Sequence, residues 1–513
     1  MLGLAAVVIM ACALVVYLIV FPIIRYLIDS KGLRKYPNYS PFSLFTDFNY
    51  CYVSAQGFRS RDLYLAHKKT QQPILRIGPN SLSFCDFRAI RDIYGHGTPC
   101  TKDLKSLSRP LLSAAFSIKN LERWEYKVAF AIERLFKAFD SLSTAPLNGQ
   151  IPDQADLTVD FCNWINLWTI EAINFIALSD KMNVLDKGID EVLAERRDGT
   201  LYKARYRYSL EQMVSWSSIF CWEYNLFPWV EWLVGVIPSK WKKQQRNGRA
   251  FRDIVYRQAA GRFRKYQAGE KHDDIFQSLM EYKSGNLNYL EWGEIVAEVA
   301  DIINTGSDTT AMALTQTLSL LIQHPQHLDT IRSEVDSVMD QDEIVAAYDK
   351  VKELPFLRAC IDEGLRLMPP TAAGLPRRTP PQGAQIMGEW ISGDTSVNIS
   401  IYASHRDEEF FPDPETFNPE RWINPEARRR LESAFIPFSA GARSCLGRNI
   451  TYLEQIMLLA SLVHRYEFAL PSPDWQLPRT EAFNMVCGSM PIKIWKREIR
   501  AMSCVQVPWC EIE

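Results

Sequence analysis

The chain has 513 residues, of which 58 are Lys or Arg and 60 are Asp or Glu, for a formal net charge of −2. So balanced a charge gives no electrostatic footprint for nucleic acid, and the length supports one large body with a sizeable core. Eleven cysteines at scattered, unpaired spacings exclude a disulfide-stapled scaffold and indicate reduced thiols on the cytosolic side of a membrane.

From the start, Leu2 to Ile24 carries no charge, and a helix of that length, about 35 Å, crosses a bilayer. A cleaved signal peptide is the competing reading, but it would place a basic residue before the apolar run and small residues at a cleavage site. Here Arg25, Lys31, Arg34 and Lys35 follow the run. The positive-inside tendency therefore predicts an uncleaved, single-pass anchor at residues 1–25 with the body in the cytosol. In a eukaryotic cell this means the endoplasmic reticulum membrane. Tyr36-Pro37 and the turn-rich stretch 38–41 predict a hinge, so residues 26–60 read as hinge and start of the body. Ile74–Pro79 and Ser81–Cys85 alternate as a hairpin turned at Gly78-Pro79-Asn80, and Phe87 to Tyr94 reads as a short helix. No repeat or linker divides the chain after residue 60, which makes 61–498 one domain and 499–513 a loose tail.

From Trp124 to about Ala268, apolar residues recur at spacings of three and four, which predicts helices throughout. Trp216 to Ile237 is rich in Trp, Phe and Leu, but Glu223, Pro228 and Glu231 argue against a second span. It reads either as a surface that dips into a bilayer or as a plain core helix. Glu294 to Leu321 predicts a long helix stopped at His324-Pro325, with Thr305-Gly306-Ser307-Asp308-Thr309-Thr310 in its middle. A glycine inside a helix costs roughly 1 kcal/mol relative to Ala. Gly306 thus needs a reason, and a missing Cβ would leave room for a flat cofactor and a diatomic ligand. A Thr hydroxyl can bond back to the carbonyl four residues earlier and open the ladder for water.

Glu363-Gly-Leu-Arg366 places a carboxylate and a guanidinium on one helix face, and Pro369-Pro370 ends that helix. Gly383 to Ile401 alternates like strands. An irregular acidic connection, Tyr402 to Asn418, then leads to Pro419-Glu420-Arg421-Trp422. Glu467 to Trp495 predicts a final β-rich element with a loop near Met485–Gly488.

Ahead of that element stands Phe438-Ser-Ala-Gly441-Ala-Arg443-Ser-Cys445-Leu-Gly447, followed by an apolar helical run from Ile450 to Val463. The spacing makes chemical sense around a metal-binding thiolate. Gly441 and Gly447 allow tight turns and close backbone approach to a flat ligand. Arg443 can take an anionic group in a forked, charge-assisted bond. Cys445 sits just ahead of a helix, whose positive end favours a deprotonated sulfur, and Phe438 can shield that sulfur from water. A lone buried cysteine is the bland alternative.

At these residues the chain resembles the haem-thiolate monooxygenases of the cytochrome P450 superfamily, whose haem iron is held by a single Cys. The resemblance runs through the whole chain in the expected order. It implies a mainly α fold with small β-sheets, preceded by an N-terminal transmembrane helix. It implies haem b (iron protoporphyrin IX) between the Gly306 helix and the Cys445 loop, with Cys445 as axial iron ligand. Asp308 and Thr309 match the pair that the family uses to deliver protons to iron-bound oxygen, while Thr305 replaces the usual Ala or Gly. Glu363, Arg366 and Arg421 match a buried structural network. Arg109 matches a propionate-binding Arg, with Lys105 at the position where the family has Trp or His. By position Arg377 supplies a second propionate contact, with Arg378 as the alternative. Ile302, Thr305, Ala373 and Gly374 are pocket candidates.

The implied partners are an NADPH-cytochrome P450 reductase, a cytochrome b-type donor, an apolar small-molecule substrate, O2 and the lipid bilayer, with no nucleic acid. Lys119, Arg123, Lys127 and Arg428 to Arg430 are candidate charges for docking the reductase. The wording at 94–98 and 374–377 looks like fungal members, some of which hydroxylate benzoate-type aromatics while many tailor secondary metabolites; the second role is favoured here. Desaturation or ring coupling fits the same scaffold. One departure stands out: only 11 residues separate Gly97 from Arg109, fewer than the family usually has. The missing length corresponds to the loop and short helix that cover substrate, so either the pocket is more open or a segment is lost from the gene model. That departure keeps a haem protein without turnover as an alternative, beside a membrane-tethered protein with no haem.

Overall fold

A single long helix organises the chain. It is α8 (Trp292–Gln323), opened by a capping box in which Glu291 and Glu294 satisfy each other's backbone N–H groups and closed at His324-Pro325. The structure, a computed structural model, describes Val16, residues 20–102, Phe116, and residues 118–147, 151–221, 227–281 and 286–498. Before α8 come α1 (Phe21–Ile28), β1 (Ile74–Gly78), β2 (Ser81–Phe84), α2 (Arg88–Tyr94), β3 (Thr101–Lys102), α3 (Ile118–Leu142), β4 (Val159–Asp160), α4 (Phe161–Leu178), β5 (Glu191–Glu195), β6 (Leu201–Arg205), α5 (Tyr206–Phe220), α6 (Phe227–Val236) and α7 (Lys240–Gln267). After it come α9 (Pro355–Leu367), β7 (Arg377–Arg378), β8 (Ala384–Ile386), β9 (Glu389–Ile391), β10 (Ser396–Ile399), α10 (Pro425–Glu432), α11 (Arg448–Arg465), β11 (Tyr466–Ala469), β12 (Arg479–Glu481), β13 (Met485–Cys487) and β14 (Pro491–Lys496). The mainly helical architecture with small sheets is as the sequence predicts.

The apolar faces of α3, α4, α8, α9 and α11 close one large core, to which Trp168, Ile173, Leu314, Leu365 and Leu458 belong. A second, smaller core lies under a five-stranded sheet ordered β1-β2-β10-β7-β3. β1 and β2 form the predicted antiparallel hairpin, while β10 pairs β2 in parallel with Val397 opposite Leu82.

Several expectations are corrected. The stretch read as all-helical contains the β5–β6 hairpin, whose Asp198-Gly199 turn and alternating Val192 and Ala194 are ordinary hairpin signals. Met485 to Cys487 is not loop but a strand paired with β12. The space left by the missing Cβ of Gly306 is taken by Ile173, whose Cδ1 and Cγ1 would lie 2.6 Å from a Cβ there, so the glycine lets α8 and α4 approach. Gly306→Ala is therefore expected to destabilise the protein by about 1–3 kcal/mol through overpacking. With Ile173→Ala added, thermal unfolding is expected to show a loss smaller than the two single losses combined.

The predicted anchor falls almost wholly on residues outside those described, as do Arg109, Lys105 and the tail at 499–513. Among the described residues no helix is long and apolar enough to cross a membrane.

Candidate active site

The cysteine loop is built between two elements. Phe435 and Ile436 anchor its start, Ser439 takes a positive φ of 58°, and Gly441 to Arg443 make a short 3-10 turn. Cys445 N donates to Phe438 O at 2.8 Å, closing the loop before α11 begins. Cys445, Arg443 and Ala442 are exposed, whereas α11 beyond them is buried from Tyr452 to His464. Gly441 has φ +62°, and an added Cβ would collide with the Tyr94 carbonyl oxygen. The close approach predicted there is thus to the end of α2 and not to a flat ligand. Gly447 has an ordinary helical φ of −74°, and a Cβ on it would meet Cys445 Sγ at 3.8 Å.

Tyr94, which the sequence reading passed over, gathers three of the candidates. Besides touching Gly441, its ring lies 4.6 Å under the Arg377 guanidinium. Its hydroxyl donates to Leu375 O at 2.8 Å and would sit 3.3 Å from a Cβ on Gly374. Arg377 is buried and also donates to Leu375 O and Pro376 O. Ala373 and Gly374 pack against β10: Ala373 O accepts from Asn398 Nδ2 at 2.9 Å, and Gly374 abuts Ile399 O. Arg378 is half-buried beside Arg377 on β7.

Across from the loop, α8 meets α11 where Thr310 Oγ1 and Thr451 Oγ1 stand 3.5 Å apart. The α8 turn just before this crossing has an open face. Asp301 and Thr305 are exposed in a helix otherwise largely buried, with Ile302 and Thr310 turned into the core. Thr309 Oγ1 donates to Thr305 O at 2.7 Å and Thr305 Oγ1 to Asp301 O at 2.6 Å, the back-bonding that the sequence predicts. The helix nevertheless runs on unbroken.

Asp308 points elsewhere. It is buried toward α5, and burial together with the Glu211 charge pushes its carboxyl up to about 6, with Arg207 opposing. Arg207 Nε donates to Glu211 Oε1 at 2.7 Å, so the guanidinium is committed to Glu211 and acts on Asp308 only through its charge. Adjacent residues on a helix project about 100° apart, which is why Asp308 and Thr309 face different surroundings.

Glu454 on α11 is a second buried carboxyl that sequence reading missed. Burial pushes it up to about 8 against a hydrogen bond from Thr310. A raised carboxyl pKa means stability that is full below the ordinary value of 4.5 and lost as pH rises through about 8. Glu454→Gln is expected to melt above the parent near pH 9 and to lose that advantage by about pH 5, read by thermal unfolding across that range.

The Glu-x-x-Arg pair proves to be the centre of a dense network. Arg366 donates Nε and one terminal nitrogen to the two Glu363 oxygens at 2.9 and 2.8 Å, both residues being fully buried. Arg421 Nε, Trp422 Nε1 and Asn418 N also donate to Glu363, at 3.1, 2.8 and 3.0 Å. Burial alone would push this carboxyl up, but Arg366, Arg421 and the donors hold it below its usual range. Arg366 spends its remaining donors on the carbonyls of His405, Pro414 and Thr416. His405 carries the network to the cysteine loop: its Nε2 accepts from Ile436 N at 2.9 Å while its ring stacks on Phe435. Burial and the Arg366 charge lower it to about 3, so it stays neutral.

Two of the docking charges are reassigned. Lys127 is 1% exposed and donates to Phe175 O, Ser179 Oγ and Asp273 O. Arg428 is paired with Asp362 at 3.0 Å and with Glu432 at 3.1 Å. Arg123 is exposed but paired with Asp273, Arg429 and Arg430 lie on α10, and the side chain of Lys119 is outside the described residues.

Among the described residues no three His, Cys, Asp or Glu side chains gather to hold a metal ion. A metal offered one thiolate and no further side-chain ligand must bring its own equatorial ligands, and a macrocycle does so. The exposed Cys445 and Arg443, and the open α8 turn across the Thr310–Thr451 crossing, fit such a group. Fold and site thus define a mainly helical protein that presents an exposed cysteine at the head of a buried helix.

A model of the family described as cytochrome P450 matches residues 96–494. The chain belongs to the cytochrome P450 family, is an oxidoreductase of the monooxygenase kind, and uses a haem-thiolate cofactor and a redox partner accordingly. It is similar to a cytochrome P450 monooxygenase, efuB, of Hormonema carpetanum, at 27% identity over 80% of this chain and 82% of the relative. It is also similar to the benzoate 4-monooxygenase bphA of Aspergillus niger, at 28% identity over 83% and 86%, and to the tryprostatin B 6-hydroxylase of Aspergillus fumigatus, at 26% over 83% and 74%.

Proposed function

We propose that this enzyme inserts one oxygen atom from O2 into an apolar small-molecule substrate in fungal secondary-metabolite biosynthesis. The observation that carries the reading is the exposed Cys445 thiol two residues from the exposed Arg443, at the head of α11, which crosses α8 at Thr310, just after the open Thr305 turn. Bound there as haem b, iron protoporphyrin IX would supply the redox chemistry that splits dioxygen and oxidises a C–H bond. Cys445 would hold its metal, and Arg109, Arg377 and Arg443 would hold its carboxylate groups. Phe438, half-buried against the core, braces the start of the loop, while Gly306 and Gly441 let the surrounding elements come close and Gly447 makes the last turn before α11. Thr309 holds a proton at its Oγ1, and Asp308, half-protonated near pH 6, exchanges protons with water. Thr305 on the open turn of α8 borders the substrate, with Ile302, Ala373 and Gly374 as further candidates.

Electrons come from an NADPH-cytochrome P450 reductase, with a cytochrome b-type protein as a second donor. Residues 1–25 anchor the chain in the endoplasmic reticulum membrane and 61–498 form the cytosolic catalytic domain. Support for a bilayer comes from α1, which exposes Phe21, Leu27 and Ile28, and from α6, where Trp229 is 71% and Trp232 62% exposed. Support for the pathway class comes from relatives such as the tryprostatin B hydroxylase.

The test is turnover with reductase, NADPH and labelled dioxygen on a panel of aromatic and polycyclic substrates. One labelled oxygen in the product is expected. Thr309→Ala should lower product formation by about 10² while leaving the carbon monoxide difference spectrum unchanged. Unlabelled, dehydrogenated or coupled product would establish desaturation or ring coupling instead. The short Gly97–Arg109 spacing favours one other reading, a haem protein that is reduced but forms no product.

A further inference from the structure

The β5–β6 hairpin lies across α7, and an open cleft of about 580 Å³ runs between them, away from the cysteine loop. Its walls carry Arg196, Lys203, Arg205, Arg246 and Arg249 against a single carboxylate, Asp253. In a chain of net charge −2 this is a local excess of positive charge. Two of the cations are spoken for: Lys203 pairs with Glu191 at 2.7 Å and Arg205 with Asp190. The Asp253 carboxylate in turn accepts from the Tyr202 hydroxyl at 2.6 Å. Arg196, Arg246 and Arg249 have no carboxylate within ion-pair distance among the described residues. Arg246 and Arg249 stand one helical turn apart on the exposed face of α7. Arg196 is stacked over the Tyr202 ring at 5.0 Å. The floor between them is fixed, since Asn247 Nδ2 donates to the Tyr208 hydroxyl at 2.9 Å.

We propose that this cleft binds a multiply charged phosphate ester. Three guanidiniums with open forks suit phosphate oxygens, which each can meet in a paired, charge-assisted hydrogen bond. Lys243, exposed three residues before Arg246, extends the basic face toward α6 and its exposed tryptophans. The ester can therefore come from a lipid headgroup or from a soluble molecule.

The full haem-loaded chain in phosphatidylcholine nanodiscs would be titrated with inositol hexakisphosphate, and separately transferred to nanodiscs containing phosphatidylinositol 4,5-bisphosphate. Binding to either probe, weakened at least tenfold by Arg246→Ala with Arg249→Ala, is the expected result. Preference for the lipid assigns a headgroup, and preference for the free ester assigns a soluble ligand. The control pair Arg429→Ala with Arg430→Ala, on α10, should leave affinity unchanged. The carbon monoxide spectrum of both double variants should match the parent, which separates loss of the cleft from loss of the fold. No binding of either probe, or equal weakening by the two pairs, overturns the proposal.

Discussion

Cys445→Ala is expected to abolish turnover and to remove the thiolate-type band from the reduced carbon monoxide difference spectrum. No other described cysteine stands in its place. Cys51, Cys100, Cys162, Cys360 and Cys487 are buried, and Cys85 and Cys221 are half-buried. Desolvation raises the thiols of Cys85, Cys100, Cys162, Cys221, Cys360 and Cys487, which favours the protonated form that binds metal poorly. The loss should be near total and not the few-fold effect of a packing change. Cys360→Ala, a small change inside the core, should keep the band and so control for general damage. A Cys445→Ala protein that retained the thiolate band would move the iron ligand to another residue and sink the assignment.

Removing the Glu363 carboxylate is expected to be the most damaging change to stability. Its two oxygens accept from Arg366, Arg421, Trp422 and Asn418. Glu363→Ala would leave two guanidiniums and two N–H groups facing a buried hole, a loss of about 3–5 kcal/mol. Little folded, haem-containing protein should be recovered, as read by soluble yield and the ratio of haem absorbance to protein. Arg366→Lys should fare nearly as badly, because a single ammonium cannot reproduce a two-pronged bond to Glu363 and three carbonyl contacts at once. Arg421→Lys should be milder, since Arg421 makes one bond to Glu363 and is partly open to solvent. A Glu363→Ala protein as stable as the parent would show that the network is dispensable.

What was legible in the sequence was what short strings carry by themselves. The capped α8, the β1–β2 hairpin and the loop around Cys445 each rest on residues close together in the chain. Direction and pairing were not legible. Gly306 was read as space for a ligand because nothing local says that Ile173, on α4, fills it. Asp308 and Thr309 were read as one unit because they are neighbours, yet α5 surrounds only the first. Lys127 and Arg428 looked like surface charges, since their carbonyl and carboxylate partners lie up to 146 residues away. His405, Tyr94 and Glu454 carried no motif at all. The β5–β6 hairpin was the one miss with a usable cue, its Asp-Gly turn, and it was overridden by helical spacing on either side.

Apart from Arg366, the partners of Glu363 lie 55, 58 and 59 residues further along the chain. During synthesis, therefore, Glu363 and Arg366 leave the ribosome well before Asn418, Arg421 and Trp422 exist to meet them, and Cys445 comes later still. The nascent chain must carry that acid–base pair hydrated until its distant acceptors and donors arrive. The 435–445 stretch is tied to the same network, since Ile436 N donates to His405, whose other ring nitrogen meets Arg366 O. A chain that ends before residue 436 lacks the loop itself, and one that lost His405 would lack the contact that holds its start.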